Sequence, residues 1–181
     1  VLPAKKAAPA PSISGMPTLA VLYFENKSGD PKLDSWRDMI SELLITSLSQ
    51  SRHVHVIAGE EMYSILKRLN LADARKYSSE DIEKIAAQTQ ATHVLRGSFI
   101  KAGESFIVTA GLQKPGTREN PPPLQIEASS EKDVIVKVND LARQVMQGFN
   151  LTSTQAAGDI EIEAGKITTS SPEALKYYID G

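Results

Sequence analysis

The chain has 181 residues, of which 41% are hydrophobic and 23% charged, with a net charge of −2 and no cysteine. That length and composition support one packed domain of about 130–140 residues with flanking segments, and the absence of cysteine excludes a disulfide framework, thiol catalysis and thiolate metal sites. Basic residues do not run beyond pairs such as Lys5-Lys6, which excludes nucleic acid as a partner held by phosphate neutralisation, and no apolar stretch reaches the roughly 18–20 residues of a bilayer span, so this segment is not expected to insert directly into a membrane.

Residues 1–17, VLPAKKAAPAPSISGMP, are too rich in Ala and Pro to bury a core and read as an extended linker. Thr18–Phe24 is apolar without alternation, the pattern of a strand buried on both faces. Glu25–Asp30 gathers Asn, Ser, Gly and Asp into a turn, with Asp30-Pro31 set to start a helix. Leu33, Trp36, Ile40, Leu43, Leu44 and Leu48 follow at helical spacing, and Val54 and Val56 open a second strand. This is a β-α-β unit, whose two strands are expected to lie parallel in one sheet.

A helix over Glu60–Leu69 turns Met62, Ile65, Leu66 and Leu69 to one side. Ser78 and Asp81 have the spacing of a capping box, and the helix after them directs Ile82, Ile85, Ala86 and Thr89 inward. Ala91–Ile100 reads as a third strand, turning at Lys101–Glu104 through Gly103 into a fourth at Ser105–Gln113. Residues 114–123 form a Pro-rich loop, after which Leu124, Ile126 and Ala128 alternate as a one-sided strand. Ser130 and Asp133 suggest a second capping box, ahead of an amphipathic helix carrying Val134, Val138, Leu141, Val145 and Phe149. The order β-α-β-α-α-β-β-β-α predicts an α/β (α+β) fold, a two-layer sandwich with a mixed five-stranded sheet over residues 18–149. Residues 150–169 read as a connector with a short strand expected at Asp159–Glu163. Ser171-Pro172-Glu173 then starts a helix in 170–181. The chain as a whole is expected to be a piece of a longer protein.

Few residues offer chemistry. The loop Glu25-Asn26-Lys27-Ser28-Gly29-Asp30 lies where α/β proteins usually carry a ligand, at a strand's carboxyl end and before a helix. One glycine gives little backbone access, and Glu25 and Asp30 would repel an anion, so phosphate is not expected there. The loop is either a structural turn or a polar ligand or partner contact. Gly165-Lys166-Ile167-Thr168 fails the P-loop spacing. His53 and His55 share a strand face, but zinc would need a third ligand such as Glu60 or Glu61, and no metal site is expected. Paired carboxylates sit at helix starts or in the connector, where they complement helix dipoles or solvate the chain. No catalytic residue and no cofactor is expected. Trp36, beside the polar loop, suits either a core or a contact surface.

The stretches AVLYFENKSGDP (Ala20–Pro31), ISELLITSLSQ (Ile40–Gln50), VHVIA (Val54–Ala58) and ATHVLRGSFIKAGESFIVTAGLQ (Ala91–Gln113) together resemble the TolB-like amino-terminal domain, a FlgO/CsgG-like α/β module of bacterial signalling proteins. SSPEALKYYIDG (Ser170–Gly181) resembles the start of the tetratricopeptide repeats that often follow it. The chain departs from the family pattern at Trp36-Arg37 and in the Pro-rich 114–123 insertion.

The resemblance implies a non-enzymatic sensory or protein-interaction domain. Its partners would include the adjacent repeats and a kinase, cyclase or transcription-regulator output domain of the same chain. Glu25, Asn26, Lys27, Ser28, Asp30, Trp36 and Arg96, with the 114–123 loop, are the candidate binding residues. Relatives often follow a single membrane span, so an extracytoplasmic position is expected, with a cytoplasmic one as the alternative. Two other functional readings stand beside this one: a small-ligand receptor binding at the carboxyl ends of the parallel strands, and, more remotely, an enzyme fragment.

Overall fold

A computed structural model describes residues 15–119 and 121–149. The elements follow the expected order: β1 (Thr18–Val21), β2 (Glu25–Asn26), α1 (Ser35–Leu48), β3 (His55–Val56), α2 (Gly59–Arg68), α3 (Ser79–Thr89), β4 (His93–Ala102), β5 (Ser105–Gln113), β6 (Leu124–Ala128) and α4 (Glu131–Gln147). The sheet is ordered β3-β1-β4-β5-β6, with β2 also paired to β4. β1 is parallel to β3 and β4, while β4, β5 and β6 run antiparallel. This is the mixed sheet of an α/β sandwich, with six strands in place of the expected five because β2 is separate from β1. The linker, the connector and the repeat-like helix fall outside the described residues, apart from the linker's last three.

The expected single strand Thr18–Phe24 is broken in two, and the break organises the fold. Val21 lies opposite Leu95 and Glu25 opposite Ser98, so four steps on the first strand match three on β4. One extra residue is therefore accommodated between β1 and β2, as in a β-bulge. Its effect on side-chain parity is direct. Leu19, Val21 and Phe24 face one core, while Ala20, Leu22 and Tyr23 face the other.

A bulge removes ladder partners, and buried backbone groups cannot go without them. Here α1 supplies them. Ser41 Oγ donates to the Leu22 carbonyl at 2.8 Å, Arg37 Nε donates to the Phe24 carbonyl at 3.0 Å, and the Phe24 amide donates to the Arg37 carbonyl at 3.3 Å. β2 then rejoins the ladder through the Lys27 amide on the Phe99 carbonyl.

The two sheet faces are covered unequally. On the first, α1 and α4 bury Leu19, Val21 and Leu95 together with the whole inward row of β5, Phe106, Val108, Ala110 and Leu112. Trp36 belongs to this core at 4% exposure, its ring 4.9 Å from that of Phe106. Burial of a side chain that size is worth about 4–6 kcal/mol by area, which settles it as packing rather than contact surface. On the second face, α2 and α3 cover only the β1 side, packing Met62, Leu66, Ile82 and Ile85 on Ala20, Leu22 and Val94. Beyond Val94 the outward rows of β4 and β5 carry Arg96, Ser98 and Ile100, and Ile107 and Thr109, with no helix over them among the described residues; Ile100 and Ile107 are 43% and 38% exposed.

Local signals hold in detail, with three differences. The Ser78–Asp81 capping box is closed in both directions, Asp81 N–H to Ser78 Oγ and Ser78 N–H to Asp81 Oδ2. The second box is only half formed: Ser130 Oγ accepts from the Asp133 amide, but the Asp133 carboxylate is taken by the amide and hydroxyl of Ser129. The third strand continues to Ala102, because Gly103, at φ +62°, closes a two-residue hairpin with Ala102 opposite Ser105. Helix α1 starts at Ser35 rather than at Pro31, since Pro31–Leu33 form a 3-10 turn capped by the Asp30 carboxylate on the Lys32 amide.

Gly97 is the sheet position that the bulge makes indispensable. A Cβ there would lie 2.2 Å from the Phe24 ring and 2.5 Å from the Thr109 carbonyl oxygen, and the second atom is backbone that cannot swing away. Gly97→Ala is expected to cost about 3 kcal/mol or more by overpacking, read as a lower urea midpoint at unchanged slope. A variant as stable as wild type would mean that Phe24 does not cross β4 at this point.

Candidate functional site: a polar groove on the open sheet face

A groove of about 400 Å³ lies on the uncovered part of the second face, lined by residues that include Glu25, Lys27, Arg96, Ser98, Thr109 and Gly111. Its floor comes from strand alternation: Ser98 lies opposite Thr109 and Arg96 opposite Gly111 on β4 and β5. One wall is Lys76 and Tyr77, from the segment joining α2 to α3, and Pro123 stands at the β6 end. The bulge contributes Tyr23, and β2 presents Glu25 and the following Lys27 to the same side.

The wall is fixed from α1. Arg37, while its Nε holds the Phe24 carbonyl, donates a second bond from Nη2 to the Ala74 carbonyl. Arg75 adds an ion pair to Asp34 at 3.5 Å. The turn at Lys114–Thr117 is tied to α3, where the Gly116 amide donates to Glu83 Oε1 at 2.9 Å. Arg37, through its bond to the wall segment, and Pro123 of the 114–123 loop both bear on this groove.

The candidate binding residues divide into two groups. Glu25, Lys27 and Arg96 come together in the groove lining. Asn26, Ser28 and Asp30 serve the turn itself. Asn26 Nδ2 donates to the Asp30 carbonyl at 2.9 Å and to Asp34 Oδ1 at 2.8 Å, while its Oδ1 accepts from the Ser28 amide. Ser28 Oγ accepts from the Lys101 amide at 2.7 Å, joining the turn to the end of β4. Asp30 caps the 3-10 turn. Trp36 is in the core, away from any surface contact. Among the described residues, no three His, Cys, Asp or Glu side chains gather to hold a metal; His55 is exposed, and His93 hydrogen-bonds Thr92 through Nδ1.

Sequence reasoning missed Tyr23, Lys76, Tyr77, Thr109 and Gly111. The signal was present for the strand residues, because 96, 98, 109 and 111 share one parity and are polar or small where Val94 is apolar. Lys76 belongs to a locally basic group with Lys67, Arg68 and Arg75 that reads as a solvated face, and no local signal marked Tyr77. Burial pushes the Tyr77 phenol up to about 12, with Arg37 partly offsetting and Asp38 and Asp81 reinforcing the rise. Burial and then Asp38 raise Tyr23 further. Both phenols are therefore neutral at physiological pH, as hydrogen-bond donors rather than bases. The Tyr77 hydroxyl is buried and has no partner among the described residues.

No family model matches the chain. A curated relative, "Putative adenylate cyclase 3" of Rhizobium meliloti, is 33% identical over 104 residues, covering 58% of this chain and 16% of that protein. Among solved structures, the C-terminal domain of LpoB from Escherichia coli aligns with a TM-score of 0.52 at 16% identity, over 67% of this chain and 88% of that one. Lipoprotein GNA1162 from Neisseria meningitidis gives 0.53 at 13%, over 72% and 99%. TolB from Acinetobacter baumannii gives 0.50 at 13%, over 74% of this chain but 28% of TolB. At these identities the likeness is one of fold: the chain has the α/β fold of the LpoB and TolB domains. It corresponds to about a sixth of the length of the curated relative it matches.

Two expectations follow. Asn26→Ala removes three hydrogen bonds that hold the turn together, so it should lower stability by about 1–2 kcal/mol, and a partner bound in the groove should keep its affinity. Unchanged stability with lost binding would reverse this assignment. Because both phenols titrate higher in the folded chain than the ordinary 10.0, the stability they contribute is complete below pH 10 and is lost as pH rises from there toward about 12. Tyr77→Phe should flatten that loss in urea titrations across the window without lowering stability at neutral pH.

Proposed function

We propose that this chain is a non-enzymatic interaction domain of a larger bacterial signalling protein, and that a protein partner docks on the open half of the second sheet face. The observation that carries this reading is the uneven covering of the sheet. Among the described residues, helices pack the whole first face and the β1 side of the second, but leave Ile100, Ile107 and the adjoining groove at the surface. Exposed apolar side chains beside a polar groove have the composition of a contact surface. The groove's phenols are kept protonated, which suits binding better than proton transfer.

The signalling context draws on the 33% identity to a protein named as an adenylate cyclase, six times longer than the matched share, in which this segment would be one module among several. Output domain and repeat array would then be partners within the same chain, and the repeat-like sequence at 170–181 is consistent with that order. An extracytoplasmic position belongs to the same proposal. It is supported by the stalk-like composition of residues 1–17 and by one fold neighbour being a lipoprotein; no helix among the described residues is long and apolar enough to cross a membrane.

The second reading, a small-ligand receptor, is favoured by one feature: part of the groove, at Tyr23, Glu25 and Lys27, follows the carboxyl end of β1. A photocrosslinking side chain in place of Ile107 in the full-length protein, in cells, tests the choice. Protein adducts are expected from that position and not from Val136, which is 64% exposed on the outer side of α4. Absence of any adduct from Ile107, together with a melting temperature raised by a metabolite, nucleotide or peptidoglycan fragment, would favour the receptor.

A further inference from the structure

The chemistry of the groove identifies what kind of segment fits it, provided that the open face is a protein-docking surface. We infer that the groove receives an acidic side-chain pair on a peptide segment of the partner, whose adjoining apolar residues lie over Ile100 and Ile107.

Three observations converge on this occupant. The first is charge. Lys27, Lys76 and Arg96 line the groove against Glu25 alone, in a chain whose net charge is −2, so the positive character is local. Glu25 reaches Lys27 only at 4.0 Å, and neither Lys76 nor Arg96 has an ion-pair partner among the described residues. Cations collected on a wall and a floor, with their own counter-ion at the edge, favour a carboxylate from outside.

The second is the Tyr77 hydroxyl. It is buried in the groove wall without a partner among the described residues, a state that costs stability until an acceptor arrives. A carboxylate oxygen is such an acceptor once the wall shifts to admit it, and Ser98 and Thr109 on the floor of the same groove are further hydroxyl donors.

The third is shape. A Cβ placed on Gly111 would meet no atom within 4 Å, so the floor is open where the β5 row would otherwise rise. The volume of about 400 Å³ is at the small end of ligand-sized sites, roughly 300–1,000 Å³. It holds a few side chains and no folded element. One register step beyond Ser98 and Thr109 on the same face come Ile100 and Ile107, paired directly across β4 and β5 and both exposed. A free dicarboxylate would satisfy the cations and leave these isoleucines in water. A peptide with acidic and apolar residues side by side covers both.

Fluorescence anisotropy with an array of labelled octapeptides, each containing two Glu and two Leu in permuted order within a Gly/Ser frame, tests the inference on the whole chain. At least one order should bind, weaken with added salt, and lose about tenfold or more when both Glu become Gln. Arg96→Glu and Lys76→Glu should each weaken it by about tenfold. Tyr77→Phe should weaken it by a few-fold without lowering the melting temperature. Gly111→Val suits a strand and fills the floor; it should abolish binding while the fold stays as stable.

Failure of every peptide in the array overturns the inference. So does equal affinity for the Gln peptide, or binding of glutarate as tight as that of the best peptide. If Ile107 captures a protein in cells while no acidic peptide binds, the docking face stands and only its proposed occupant falls. If neither occurs, the interaction reading fails as well.

Discussion

The fold turns on a single surplus residue in its first strand. Without it, Thr18–Asn26 would run as one uninterrupted edge along β4, with Phe24 and Glu25 each on the opposite face. With it, Phe24 is returned to the larger core over Gly97, and Glu25 and Lys27 are turned toward the groove. The displaced backbone groups need donors and an acceptor inside a dry interior, where each unmet group costs about 1–3 kcal/mol. Ser41 and Arg37, one turn apart on α1, meet that demand from one helix face. Sequence, strand offset and helix placement are thus one constraint: the helix cannot slide by a turn without stranding the bulge.

Arg37 extends this constraint to the surface. Its guanidinium bonds the bulge with one nitrogen and the α2–α3 segment with another, so the element that builds the groove wall is held by the element that repairs the strand. Lysine could not do this, because a point-charge ammonium lacks the planar fork that reaches two carbonyls in different directions. The groove wall is thereby tied to the core beneath it through one side chain.

Legibility from sequence follows the range of the interactions. The Ser78–Asp81 cap and the Asn26 turn are closed within four residues or fewer for most of their bonds, and both could be read from the letters alone. The second cap was read from the same spacing, yet Ser129 outbid Ser130 for the Asp133 carboxylate, a competition that spacing cannot express. The bulge was invisible for a different reason. A run that is apolar at every position has no parity, so TLAVLYF carries no mark of where two neighbours turn to the same side. Half of the groove could be found by keeping the parity of β4 into β5. The other half required knowing that Arg37 reaches Ala74, 37 positions away.

The position in the chain where α/β proteins commonly hold ligands is here spent on structure. Asn26, Ser28 and Asp30 use their polar atoms on the backbone of the turn, on α1's approach and on the end of β4. Those three side chains have little left to offer a ligand, and only Glu25 and Lys27 of the loop turn to the groove. Groups unmatched among the described residues lie one layer away, on the face that the two smaller helices stop short of covering: a phenol with no acceptor, two cations with no ion-pair partner and two exposed isoleucines with no helix over them within those residues. Unsatisfied groups of three different kinds on one continuous surface are hard to maintain against selection for stability alone, since apolar or paired replacements would each be tolerated there. Their coincidence is most simply explained by a second molecule that meets all three demands at once.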